Sequence, residues 1–217
     1  MPRNIQEELD AERSGWALPM GLFVTMRNPN TGQLALTGTL GHPADTSGRI
    51  AITTHHWMSQ RGHVVFAPAI STTPIGTIVD TAFEPLNGID ISIIRMENGF
   101  TIWPFNPING QLLGPFFNFP PPLSTFVRAF PFSGSRWGDV TNPSRGYQIG
   151  FPFGAMDFFR MAETNIQLVP DDSGSALINI NANSVVGTLV GRSRDHTRTY
   201  FSISGNYVHH VWPWMFP

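Results

Sequence analysis

Three short segments hold side chains that together could carry out acyl transfer: a hydroxyl, an imidazole and a carboxylate. The first is PDDSGSALI, residues 170–178, where Ser173 stands between Asp172 and Gly174 just before an apolar run. A serine on a tight turn exposes its hydroxyl for attack, and the turn can aim backbone N–H groups at a developing oxyanion. Asp-Ser-Gly is also a common turn sequence, with Asp starting an ordinary β-hairpin connection. The second segment is IAITTHHW, residues 50–57, which ends a strand-like run in His55 and His56. An imidazole at a strand end can take a proton from a nearby hydroxyl. The doublet would also suit a hydrogen-bonded surface pair or a metal ligand. Zinc needs two further ligands, and no ligand spacing links the doublet to His63 or to His209 and His210. The third is GIDISII, residues 88–94, where Asp90 opens an alternating apolar strand after Asn87-Gly88. By itself it reads as a turn aspartate closing a hairpin.

The combination resembles the chymotrypsin-like serine protease family. PDDSGSALI followed by SVVGTLVG (184–191) resembles the family's nucleophile loop and substrate-lining strand. ITTHHW resembles the strand that ends in Thr, two small residues, His and Cys, with Trp57 at the cysteine position; GIDISII resembles the segment carrying the family's aspartate. The resemblance implies Ser173 as nucleophile, His56 rather than His55 as base, and Asp90 as the residue that orients the imidazole. The order is His, Asp, Ser, with 34 residues from His56 to Asp90 and 83 from Asp90 to Ser173. The implied activity is that of a serine endopeptidase without metal or cofactor, acting on polypeptides. The backbone N–H groups of Asp171 and Ser173 would form its oxyanion hole. Counting from the nucleophile places Gln167 at the base of the primary pocket and Val190, Gly191 and Arg192 along its wall.

Two departures bear on activity. Asp171 stands where the family has a glycine, so its carboxylate and its Cβ both burden the oxyanion hole. Either the carboxylate turns outward to solvent or an arginine and the hole forms, or the resting loop is collapsed. In the second case the 170–171 peptide is flipped and activity requires activation. The collapsed form is the expectation, with faster acylation in Asp171→Gly. No Ile-Val-Gly-Gly element is present to supply an amine to Asp172, so the compact viral and bacterial members are the nearer comparison, and Arg136, Arg145 or Arg160 is the expected partner. Two other functions stay open: a protease-like fold used for binding or regulation, and a lectin-like barrel with Trp103, Trp137, Trp212 and Trp214 as ligand platforms.

The elements needed to position these residues are short strands. The 217 residues include 21 glycines and 19 prolines, and charged residues make up 13%. Such punctuation suits many strands and turns better than long helices. Candidate strands are 21–26, 33–40, 49–54, 62–67, 75–82 and 89–96, then 123–130, 146–151, 165–169, 174–180, 184–191 and 198–203. They predict an all-β chain of two six-stranded antiparallel barrels with the site between them. The divisions are an N-terminal helical segment (1–18, from NIQEELDAER), a first barrel (19–105) and a Pro/Phe-rich connector (106–122). A second barrel (123–204) and a C-terminal helix or tail (205–217), stopped by Pro213, complete the chain. The net charge of −2, with no block of like charges, speaks against nucleic acid. No apolar run approaches the roughly 18 residues of a membrane span. Zero cysteines and an N-terminus without an apolar core point to a cytoplasmic protein.

Overall fold

The computed structural model describes residues 16–56, 58–114, 120–151 and 154–215; the expected helix over 4–13 and Trp57 lie outside them. The first half forms β1 (Trp16–Leu18), β2 (Phe23–Arg27), β3 (Leu34–Thr39), β4 (His42–Pro43), β5 (Ile50–Thr53), β6 (Val64–Phe66), β7 (Gly76–Glu84), β8 (Ile89–Met96) and β9 (Phe100–Ile102). The second half forms β10 (Phe126–Phe130), β11 (Arg136–Phe151), β12 (Gly154–Thr164), β13 (Ala176–Asn179), β14 (Ser184–Arg192) and β15 (Thr199–Ile203), followed by helix α1 (Ser204–Met215).

The second half is a closed barrel in the order β10-β11-β12-β15-β14-β13. The first is a seven-stranded sheet, β3-β2-β6-β7-β8-β5-β4. Its two outer strands are consecutive in the chain, separated only by Leu40 and Gly41, so one bent segment supplies both edges and curls the sheet round. All pairings in these two sheets are antiparallel; β1 and β9 form a separate parallel pair.

β8 shows how sequence alternation sets the site. Its odd positions, Ile89, Ile91 and Ile93, pack into one core with Tyr207 and Val211 of α1. Successive side chains in a strand point to opposite faces, so Asp90 and Ser92 face the other way, toward the middle of the molecule. A second core joins the halves: Val24, Met26, Ala51 and Ile94 of the first pack with Phe130, Ala176, Ile178 and Val185 of the second.

Several sequence expectations are corrected. Residues 16–18, taken into an N-terminal helical segment, are strand β1. Residues 165–169 are not a strand; the second barrel is instead completed by the β11–β12 hairpin, far longer than the expected 146–151 strand. Its register slips at Val140/Asn142, Asn142/Arg145 and Arg145/Tyr147, and such bulges break the period-two pattern that marks a strand. α1 runs past Pro213 to Met215, since a proline in the last turn removes a single helical hydrogen bond.

His42 ties three elements together. Its Nδ1 donates to the Pro43 carbonyl at 2.9 Å, leaving Nε2 to accept, with Tyr207 Oη at 2.9 Å and Thr188 Oγ1 at 3.2 Å. First barrel, second barrel and α1 therefore meet on one fully buried neutral imidazole. Burial holds its pKa down at about 4, against an ordinary 6.5, with the Pro43 hydrogen bond opposing weakly. Between those values the unfolded chain binds the extra proton. Stability is therefore lost as pH falls from about 6.5 to about 4, by about 3 kcal/mol. Urea unfolding across that range is expected to show this decline in the parent and a shallower one in His42→Gln. Equal slopes would contradict the assignment.

Candidate active site

Asp90 is wholly buried, and a buried carboxylate must be given donors. Its Oδ1 accepts the backbone N–H groups of His55 (3.1 Å) and His56 (2.7 Å). Its Oδ2 accepts from His56 Nδ1 at 2.7 Å. The pairing of β5 with β8, Thr53 opposite Ser92, brings the end of β5 to this point. The chain then turns sharply, with His56 at φ 47°. Because β5 ends at Thr53, this turn rather than strand alternation separates the two histidines. His55 Nδ1 goes to Ser59 Oγ at 2.9 Å, which meets Ser92 Oγ at 2.5 Å. Burial lowers the pKa of His55, with the Asp90 charge opposing. Since Asp90 accepts at His56 Nδ1, that nitrogen holds the proton and Nε2 keeps the lone pair.

Ser173 lies on a loop that grips the first barrel. Its carbonyl accepts the Thr39 N–H at 2.8 Å, and Gly174 N–H donates to Leu189 O at 3.0 Å. Gly174 has φ 94°, and an added Cβ would lie 2.2 Å from Thr53 Oγ1 and 2.3 Å from Thr39 O. Glycine is therefore required both by conformation and by contact. Asp172 is buried, and its carboxylate accepts from Ser133 N–H (3.1 Å), Ser133 Oγ (2.8 Å) and Val169 N–H (2.9 Å). The expected arginine partner is thus replaced by three uncharged donors. Arg136 instead caps the carbonyls of Ser133, Gly134 and Ser135, Arg145 pairs with Glu163, and Arg160 is exposed.

Asp171 has φ 69°, the left-handed region that aspartate tolerates better than most residues. Its carboxylate accepts from Thr37 Oγ1 at 2.9 Å and its carbonyl from Thr39 Oγ1 at 3.0 Å. Among the described residues, nothing accepts a hydrogen bond from the N–H of Asp171 or of Ser173.

His56, Ser173, Asp171, Val190 and Arg192 all line one cleft of about 1070 Å³. Val190 is buried in its wall, and Arg192 donates from Nη1 to Leu168 O at 3.2 Å. Gln167 is exposed and does not line the cleft, so it is not the floor of a pocket here. None of Trp103, Trp137, Trp212 and Trp214 lines it; Trp137 stacks on Phe126 beneath Arg128, and Trp214 lies under Arg95. No group of three or more metal-ligating side chains occurs among the described residues. Sequence reasoning missed Thr37 and Thr39, Ser133, and Ser202, whose Oγ accepts the Asp90 N–H at 3.2 Å. These are ordinary polar residues of distant segments, and nothing in the linear sequence marks them.

The fold is that of the chymotrypsin-like serine proteases, two barrels flanking a cleft. Among solved structures, that of the Nocardiopsis protease superposes with a TM-score of 0.65 at 18% identity, over 91% of this chain and 96% of that one. Protease A of Thermobifida fusca gives 0.65 at 16% identity, over 90% and 96%. The Cellulomonas bogoriensis chymotrypsin gives 0.63 at 17%, over 91% and 97%. No protein-family model and no curated protein sequence matches the chain.

Gly174→Ala is expected to cost more than about 3 kcal/mol in denaturant unfolding, since strain and collision add. Gly32, at φ 69° with open space around it, provides the control: Gly32→Ala is expected to cost only about 1 kcal/mol. Equal costs would show that the contacts under Gly174 are not tight.

Proposed function

We propose that the chain is a serine endopeptidase that cleaves peptide bonds through an acyl-enzyme. The observation that carries this reading is the 2.7 Å bond from His56 Nδ1 to the buried Asp90 carboxylate, in a cleft that Ser173 also lines. That bond leaves Nε2 as the base. In the first step Ser173 Oγ attacks the scissile carbonyl carbon while its proton passes to His56 Nε2. The carbonyl electrons move onto oxygen, which accepts from the N–H groups of Asp171 and Ser173. Collapse of this intermediate breaks the C–N bond, and His56 returns the proton to the departing amine. Water then attacks the ester by the same route, its proton passing through His56 to Ser173 as the acid leaves.

Three facts support a role for Asp171 despite its side chain. It occupies the left-handed conformation, its carboxylate is bonded to Thr37, and its N–H is not spent on another residue among those described. On this reading the hole needs no glycine, and a separate activating event is unnecessary.

An activated acyl ester is expected to give a burst of one leaving group per chain, the kinetic mark of an acyl-enzyme. His56→Ala is expected to lower the burst rate by a factor on the order of 10⁴ or more. His55→Ala is expected to retain most of it, because only the backbone of His55 touches Asp90. Asp171→Gly is expected to stay within about threefold of the parent, in place of the gain expected from the sequence. Asp171→Val, β-branched in a left-handed position, is expected to fall about tenfold. A parent chain without a burst would leave a protease scaffold without protease chemistry.

A further inference from the structure

Arg192 makes a contact that an arginine at a strand end has no need to make. It closes β14, three residues beyond Leu189, whose carbonyl holds the Gly174 N–H beside the nucleophile. At about 3.3 Å per residue its Cα lies about 10 Å along the strand from that point. The β14–β15 register slips between Leu189 and Gly191, and bulges of this kind re-aim the side chains that follow. Arg192 is half-buried, and its Nη1 donates to Leu168 O at 3.2 Å. Leu168 and Arg192 both line the cleft, so the charged fork is held within it.

An arginine fork has five N–H donors. One is used on Leu168, and among the described residues the others make no hydrogen bond. Leu168, Leu189, Val190 and Ile149 contribute apolar surface to the same lining, and apolar surroundings strengthen the interaction of a charge with an incoming partner. The acidic groups nearby are committed elsewhere. Asp171 lines the cleft but is exposed and bonded to Thr37 on β3. Asp195 is held in its own turn by Ser193 and Thr197, and Glu163 by Arg145, Thr141 and Tyr200. Arg194 and His196 add two more basic side chains to the lining.

We propose that this cleft selects substrates with an acidic side chain, glutamate or aspartate, on the residue whose carbonyl Ser173 attacks, and that Arg192 binds that carboxylate. The inference rests on the peptidase reading above and names its substrate class. A carboxylate fits the planar fork two oxygens to two N–H groups, which an uncharged amide cannot reproduce.

Four peptide anilides differing only in that residue (Glu, Gln, Leu, Lys) test the proposal. The parent is expected to cleave the Glu peptide with a kcat/KM about 10- to 100-fold above the Gln peptide. Arg192→Met is expected to bring that ratio to about one while still cleaving the Leu peptide, and Arg192→Lys to keep part of it. A binding measurement separates recognition from chemistry: fluorescence anisotropy of Ser173→Ala with peptides ending in Glu or in Gln. The Glu peptide is expected to bind at least about tenfold tighter, and Arg192→Met in the same background to remove the difference. Binding selectivity without any acyl burst in the parent would support the pocket while overturning the peptidase reading. A normal burst with Gln, Leu or Lys peptides cleaved as well as Glu would overturn the pocket. So would a Glu preference that survives Arg192→Met, and so would equal binding of the two peptides.

Discussion

The site depends on the need to satisfy one carboxylate sealed away from water. Asp90 is on the inward face of β8 because the isoleucines on either side of it claim the opposite face. Once there it must collect donors, and the nearest are the backbone N–H groups at the end of β5. Both can reach a single oxygen only if the chain turns after Thr53, and the turn puts His56 at positive φ with its ring against the second oxygen. The orientation of the imidazole is thus a consequence of carboxylate desolvation. Leaving a buried charge without its partners costs several kcal/mol, so this geometry is enforced by folding itself.

The second barrel repeats the device. Asp172 is equally buried and takes two backbone N–H groups and a hydroxyl, with no cation involved among the described residues. It pins one end of the loop whose other end, at Gly174, is wedged under Thr39 and Thr53. Ser173 is carried between these fixed points, and its own carbonyl is held by β3 of the other barrel. Ser173 and His56 belong to different halves of the chain. Their juxtaposition is maintained by backbone contacts, by the shared apolar core and by the His42 node, in a region where single substitutions are expected to be costly.

Much of this was legible in the sequence, for identifiable reasons. The first-half strands follow from alternation such as that of Ile89, Ile91 and Ile93, whereas Asp90, by itself a turn aspartate in sequence, shows its inward position only in the fold. That residues 34–43 supply both edges of the first sheet does not follow from alternation, because a bend at Leu40-Gly41 leaves no periodic signal. The β11–β12 hairpin was hidden by its bulges and by Met156, Arg160 and Glu163, residue types with no strand preference. Ser133, Thr37 and Thr39 could not be found by local reasoning, because each acts on a loop 39 or more residues away. Asp171 looked unfavourable because sequence shows the missing glycine but not the left-handed turn and threonine bonds that accommodate an aspartate.

The central claim is that the Asp90–His56 pair activates Ser173 and no other hydroxyl. Treatment of the folded chain with a fluorophosphonate, followed by mass mapping of the adduct, addresses it directly. The adduct is expected on Ser173 alone, one per chain, and is expected to form far more slowly when Asp90 is replaced by asparagine in a chain that remains folded. An adduct on another serine, or labelling of Ser173 at the same rate in Asp90→Asn, would contradict the account.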